Sequence, residues 1–232
     1  MYGAASRSGA RTGSTSSPAL WPERPSPSRC PGRREDPMAG KTVDYYFCMN
    51  SPWVYLSQRR LEEIAAGQGA GIAYHPVDLR EMMLRLIGMD DPPERSELHR
   101  AYGKRDMERW AAFYGLPISD EPRYYPVSQH LAARVVVAAD RFGADVAPLV
   151  LALPRAVWAE DRDIADKGVL TAICEECGLP GDILLRAADD TETLERFGAN
   201  TDEALARGVF GIPSYVVDGE IFWGQDRLGF VA

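Results

Sequence analysis

The chain has 232 residues, 45% hydrophobic and 26% charged, with a formal net charge of -8. That length can bury a substantial core. An acidic chain without a dense Lys/Arg stripe is poorly matched to phosphate backbones, so a nucleic-acid partner is not expected. No apolar run reaches bilayer-spanning length, because Asp140, Arg141 and Asp145 interrupt the longest apolar region, and no membrane partner is expected.

Four cysteines (Cys30, Cys48, Cys174 and Cys177) are too few for a disulfide framework in a chain this long, so reduced thiols and a cytoplasmic location are expected. Residues 1–40 are crowded with Ser, Gly, Pro and Arg and lack apolar periodicity. Such a stretch cannot offset the entropy of ordering, so it reads as a disordered N-terminal extension, with Met38 the expected natural start.

Order is expected from Thr42. Residues 43–48 are rich in β-formers and read as a buried strand. Asn50 or Ser51 is then suited to cap a helix, and Pro52 is preorganised for its first turn. The helix is expected over residues 52–66, ended by Gly67, Gly69 and Gly71, with a second strand at 72–77. This is a βαβ unit, whose two strands should be parallel. Helical spacing of apolar residues follows at 79–87, 105–114, 128–142, 147–158, 168–177, 182–188 and 190–207, the last expected to break near Gly198. Residues 214–217 and 220–223 read as a hairpin around Asp218-Gly219, before a short helix at 226–231. The order predicts an α/β thioredoxin-like fold with an inserted all-helical domain. The thioredoxin-like part comprises residues 41–78 and 205–232, and the insertion residues 79–204.

Two segments carry chemistry. The turn Asn50-Ser51-Pro52-Trp53 joins a strand to a helix at the carboxyl edge of a parallel pair, where ligands collect in open α/β folds and where helix amides favour an anion. Oxidoreductases of this fold place Cys-x-x-Cys there; this chain has Ser51 and Val54, which excludes dithiol exchange at the turn. A serine hydroxyl can either cap the helix or donate to a thiolate carried by a ligand. The second segment is Gly211-Ile212-Pro213, entering a strand, where a proline is suited to a cis bond. Its residue before proline can pair with an extended peptide by strand addition.

Residues 46–56, the helical segment 100–117 and above all residues 208–228, with Phe222-Trp223-Gly224-Gln225-Asp226-Arg227-Leu228, resemble the 2-hydroxychromene-2-carboxylate isomerase family. That family is related to kappa-class glutathione transferases and to DsbA oxidoreductases. The resemblance implies glutathione as cofactor. Ser51 would be catalytic, activating its thiol, with Pro52, Trp53, Ile212, Pro213, Gln225 and Asp226 binding it. It implies a small aromatic or enone carboxylate substrate from aromatic catabolism, a homodimer and no metal. Arg80, Arg85 and Arg105 are candidates for the substrate carboxylate. The chain departs from the family pattern at Cys48, at Arg80-Glu81 and at Met89. A glutathione transferase and a noncatalytic glutathione-binding domain are the alternatives. Cys174 and Cys177 are expected to be inert, lying in a helix beside Glu175 and Glu176.

Overall fold

The computed structural model describes residues 40–88 and 96–232. Met89, the expected N-terminal extension and Cys30 lie outside the described residues. A four-stranded sheet has the order β2-β1-β3-β4, with β1 at Thr42–Phe47, β2 at Gly71–Pro76, β3 at Ser214–Val217 and β4 at Glu220–Trp223. β1 pairs with β2 in parallel and with β3 antiparallel. Helix α1, Pro52–Gln68, is the crossover between β1 and β2 and ends at Gly69 in the left-handed region (φ 63°), which a Cβ would disfavour. The hairpin turn holds Asp218 and Gly219 at φ 51° and 85°, the positive pair that a tight hairpin with right-handed twist requires.

Between β2 and β3 run α2 (Leu79–Ile87), α3 (Glu97–Tyr114), α4 (His130–Arg141), α5 (Ala147–Trp158), α6 (Lys167–Glu176), α7 (Gly181–Ala187) and α8 (Thr191–Ala206). A single 3-10 turn, Gln225–Arg227, and α9, Leu228–Val231, close the chain.

Strand alternation sorts β1 onto two cores. Tyr45 and Phe47 stack 4.5 Å apart, Tyr45 stacks on Tyr215 at 5.3 Å, and all three are fully buried with residues of α1, α4 and α5. Each such side chain contributes about 1.5–3 kcal/mol by leaving water. Tyr46 faces the other side, packed with Val77, Met82, Ala204, Val209 and Val216. Its hydroxyl donates to Glu203 in α8 at 3.1 Å, and its ring stacks on His75. The same face carries Asp44, which accepts from Arg207 at 2.6 Å and pairs with His75 at 3.1 Å.

Two helix expectations are corrected. α3 begins eight residues before the expected Arg105, at Glu97, because Ser96 caps it by accepting from the His99 amide at 3.3 Å. The first two turns hide from an apolar pattern, since Leu98 and Tyr102 are exposed. α8 runs unbroken through Gly198, where no other group lies within 4 Å of the Cβ position. Its buried Thr193, Phe197, Asn200, Thr201 and Ala204 face the core and outweigh the modest helix cost of one glycine.

Candidate active site

The turn after β1 is clamped from the helical segment. The Met49 amide donates to Gln129 Oε1 at 2.9 Å, and the Gln129 amide donates to the Val77 carbonyl at 2.7 Å, so one buried side chain ties both parallel strand ends. Asn50 donates its side-chain amide to the Val127 carbonyl at 2.8 Å and receives the Trp158 indole N–H on its own carbonyl at 3.1 Å. Ser51 then occupies the N-cap position of α1 with extended backbone (φ -84°, ψ 129°), and Pro52 follows in the first turn. The Ser51 hydroxyl makes no capping hydrogen bond, although the residue is only 7% exposed. Its oxygen and proton are therefore available to a ligand at the positive end of the helix. Val54, one turn on, is fully buried.

Cys48, just beyond β1, donates its thiol to Asn50 Oδ1 at 3.2 Å. Burial pushes this thiol up to about 12, so it stays protonated at neutral pH and is no nucleophile.

The Ile212–Pro213 peptide is cis, as the sequence predicts. The loop is held from both sides: Ser214 Oγ donates to the Gly211 carbonyl at 2.7 Å, and the Gly224 amide donates to the Pro213 carbonyl at 2.9 Å. The Ile212 backbone pairs with no other backbone group among the described residues. Gly211 lies close under Trp223: a Cβ there would stand 2.6 Å from Trp223 Nε1, so a larger residue must displace the indole.

Two cavities meet at Trp53 and Ile212, which line both. The larger, of about 470 Å³, holds Ser51 and Pro52, with Arg100 and Lys104 of α3 and the aromatic rings of Tyr125 and Trp158 on its walls. Tyr125 and Trp158 pack with ring centres 4.8 Å apart. Lys104 is drawn toward Asp120 at 2.8 Å and Glu121 at 3.0 Å, and the hydrogen bond to Asp120 raises its pKa. The smaller cavity, of about 280 Å³, is lined by Pro213, Trp110, Trp223, Gln225, Asp226 and Arg227, with Asp106 of α3. Gln225 is buried and accepts from the Tyr114 hydroxyl at 3.2 Å. Asp226 pairs with Arg227 at 2.6 Å.

All seven sequence-predicted site residues thus line one continuous groove. The three arginine candidates do not line it. Arg85 is drawn off to Asp202 and Arg105 to Glu108, each at 2.6 Å, and Arg80 is absent from both linings. The basic side chains that do line it are Arg227 in the smaller cavity and, in the larger, Arg100 and Lys104; sequence reasoning missed the last two along with Asp106 and Tyr125. A signal existed: residues 99, 100, 103, 104, 106, 107 and 110 form one stripe at helical spacing. It emerges only once the helix is known to start at Glu97. Cys174 and Cys177, in and just after α6, line neither cavity of the groove.

A thioredoxin-type sheet, a cis-proline loop lining a groove with the first helix turn, and a serine at that turn define a DSBA-like thioredoxin domain without its redox pair. The family model described as DSBA-like thioredoxin domain matches residues 42–232. The chain is 32% identical over 192 residues to 2-hydroxychromene-2-carboxylate isomerase of Sphingobium xenophagum, covering 82% of this chain and 96% of that protein. Identity to the Pseudomonas putida protein of the same name is 30% over 189 residues, 80% of this chain and 90% of the relative. A solved 2-hydroxychromene-2-carboxylate isomerase superposes with a TM-score of 0.69 at 26% identity, covering 82% and 92% of the two chains. The cytosolic disulfide reductase DsbM of Pseudomonas aeruginosa shares the fold, with a TM-score of 0.59 at 23% identity over 82% of this chain and 96% of its own. The chain belongs to the DSBA-like thioredoxin domain family, within its 2-hydroxychromene-2-carboxylate isomerase group, and is an isomerase. Among the described residues, no helix is long and apolar enough to cross a membrane.

Proposed function

We propose that this isomerase uses glutathione as a recycled thiol cofactor and acts on a conjugated aromatic or enone carboxylate of the 2-hydroxychromene-2-carboxylate type. The observation that carries this reading is the Ser51 hydroxyl: buried, uncapped, at a helix N-terminus and in the wall of a cavity. The groove's lining supports this reading: a γ-glutamyl tripeptide laid along it would bring its thiol to Ser51, its cysteinyl peptide to the unpaired Ile212 backbone as an added strand, and its far end toward Gln225 and Asp226.

Glutathione, held by these residues, would supply a thiolate nucleophile able to add reversibly to a conjugated carbonyl system, so that the bond between could rotate before the thiolate was released. Ser51 would donate its hydroxyl in a hydrogen bond to that sulfur without surrendering the proton. A hydrogen bond to a charged acceptor is worth about 1.5–3 kcal/mol, which lowers a thiol's pKa by about one to two. The α1 dipole favours the same charge. Arg100 and Lys104, the latter shared with Asp120 and Glu121, line the wall where a substrate carboxylate would sit, and Tyr125 and Trp158 offer ring faces to an aromatic body.

Titration of the bound thiol by its ultraviolet thiolate absorbance tests this. Ser51→Ala should raise that pKa and cut turnover roughly ten- to a hundredfold, with a much smaller loss of glutathione affinity. An unchanged titration in the variant would sink the role given to Ser51. Product analysis separates isomerase from transferase: glutathione returned unchanged supports the proposal, and an accumulating adduct replaces it with conjugation.

A further inference from the structure

We infer that His99, in the first turn of α3, is the general acid–base of the reaction: it carries the proton that opens the hemiketal ring of a 2-hydroxychromene-2-carboxylate before any thiol can add. The inference rests on the substrate class proposed above and not on the thiol.

The closed substrate is no thiol acceptor. Its C2 carbon bears a hydroxyl, the ring oxygen and the carboxylate, so no ketone is conjugated to the ring double bond. Opening takes the proton from the 2-hydroxyl, and the O–H electron pair becomes the second bond of a ketone. The bond from C2 to the ring oxygen breaks, and its pair stays on that oxygen, which takes up a proton as a phenol. One proton leaves one oxygen and one arrives at the other, so nothing is oxidised or reduced. Both oxygens hang on the same carbon, so a single group that accepts and then donates serves both. The ketone so formed is conjugated to the double bond and is the acceptor that a thiolate requires.

The titratable side chains lining the larger cavity are Cys48, His99, Arg100, Lys104 and Tyr125. Guanidinium, ammonium and phenol groups keep their protons at neutral pH, and burial holds the Cys48 thiol protonated as well. An imidazole accepts on one ring nitrogen while it donates from the other, and its tautomers exchange the two roles. His99 Nδ1 lies 3.1 Å from Ser96 Oγ. The same oxygen caps α3 by accepting from the His99 amide at 3.3 Å, so its place is fixed while its proton can turn. Ser96 can donate to a bare Nδ1 or accept from a protonated one, and the ring keeps one orientation in both tautomers. Nε2 is the nitrogen left for the cavity. Arg100, the next residue, lines the same cavity, and a carboxylate held there brings C2 with both its oxygens to the His99 ring. Gly103, one turn after His99 on the same face, adds no side chain to the wall, and no other group lies within 4 Å of its Cβ position. The approach to the imidazole is therefore open. His99 itself is exposed, so the ring can exchange protons with solvent between turnovers.

Two substrates separate this role from a structural one. The first is the chromene; the second is an open-chain cis enone carboxylate whose phenol is methylated, which cannot close and needs no proton carrier. With the full chain and glutathione, His99→Gln should slow the chromene roughly a hundredfold and leave the ether within about twofold of wild type. His99→Ala should behave alike, and added imidazole should raise its chromene turnover about tenfold or more. Because His99 is exposed, neither change should move the melting temperature appreciably. Equal loss on both substrates would make His99 a structural residue, and loss on neither would mean that the ring opens without it; each overturns the inference. Ether turnover by the wild type that is as fast without glutathione removes the thiol cofactor, while the chromene and imidazole arms still decide His99. If the wild type turns over neither substrate, both readings fall.

Discussion

The Trp158 indole donates to the backbone carbonyl of Asn50 at 3.1 Å, so the last residue of α5 holds the turn that presents Ser51. The site is therefore a joint product of sheet and helical segment. Trp158 is 3% exposed and also packs on Tyr125.

Replacing Trp158 by Phe keeps a ring but deletes the donor. The Asn50 carbonyl then loses its partner in a partly buried setting, which costs about 1–3 kcal/mol. Chemical denaturation should show that loss. Turnover should fall further than stability alone accounts for, since the turn carrying Ser51 is loosened at constant fold. Full activity at reduced stability would show that the turn is held by its other bonds.

Gly211 gives a sharper probe of the cis-proline loop. An added methyl meets Trp223 Nε1 at 2.6 Å and Cε2 at 2.9 Å. Overpacking of this kind costs about 1–3 kcal/mol in a core. Trp223 is half exposed and can swing, so the stability cost of Gly211→Ala should stay near the low end, about 1 kcal/mol. The swing moves a wall of the 280 Å³ cavity. Glutathione affinity should drop severalfold while the melting temperature changes little. A large stability loss with unchanged affinity would mean that the backbone, and not the indole, gives way.

The strands and the groove ends were legible in the sequence because their signals are local. A β-rich run followed by Asn50-Ser51-Pro52, a proline at the entry to a strand, and Asp218-Gly219 each encode a backbone conformation within a few residues. The middle of the groove was not legible. Arg100, Lys104 and Asp106 reach it because α3 crosses near α1, a packing fact with no local signature. The cap at Ser96 marks the helix start, but exposed Leu98 and Tyr102 blur the apolar face there. Arg85 and Arg105 carry the same charge as Arg100, but neither lines the groove: Arg85 lies on α2 and reaches Asp202, and Arg105 turns along α3 to Glu108.

His130 and Asp78 give a pH signature. Asp78 caps α2, and its Oδ2 lies 3.1 Å from His130 Nε2. The hydrogen bond to Asp78 raises the His130 pKa above its ordinary 6.5, against burial and the charges of Arg134 and Arg80. The bond to His130 lowers the Asp78 pKa below its ordinary 3.8. A raised histidine contributes stability fully below 6.5 and loses it as pH rises through the folded value. A lowered carboxylate contributes above 3.8 and loses it as pH falls. The pair therefore helps most between those limits. The melting temperature of His130→Gln should trail the wild type near pH 5.5 and approach it by pH 8.5, about two pH units above the ordinary histidine value. A constant gap across that range would assign the loss to packing instead.

Cys174 and Cys177 test whether any dithiol chemistry survives in this chain. They are three residues apart at the end of α6, both reduced, and Cys174 is fully buried. Burial pushes the Cys174 thiol up to about 12, and burial followed by the charge of Glu176 raises that of Cys177. A thiolate is the reactive species, so both are poor nucleophiles at neutral pH. Arg162 stands near Cys177 but is held by Glu176 through two bonds of 2.8 and 3.0 Å, which spends its charge elsewhere. At the turn itself, Val54 fills the position of a resolving cysteine and is fully buried. Cys174→Ser with Cys177→Ser should leave isomerase turnover within about twofold of wild type, apart from a modest stability loss from burying a hydroxyl at Cys174, about 1–3 kcal/mol. An insulin-reduction assay with dithiothreitol should show no activity in either protein. Measurable reduction by the wild type that disappears in the double variant would make this helix end a second, redox-active centre.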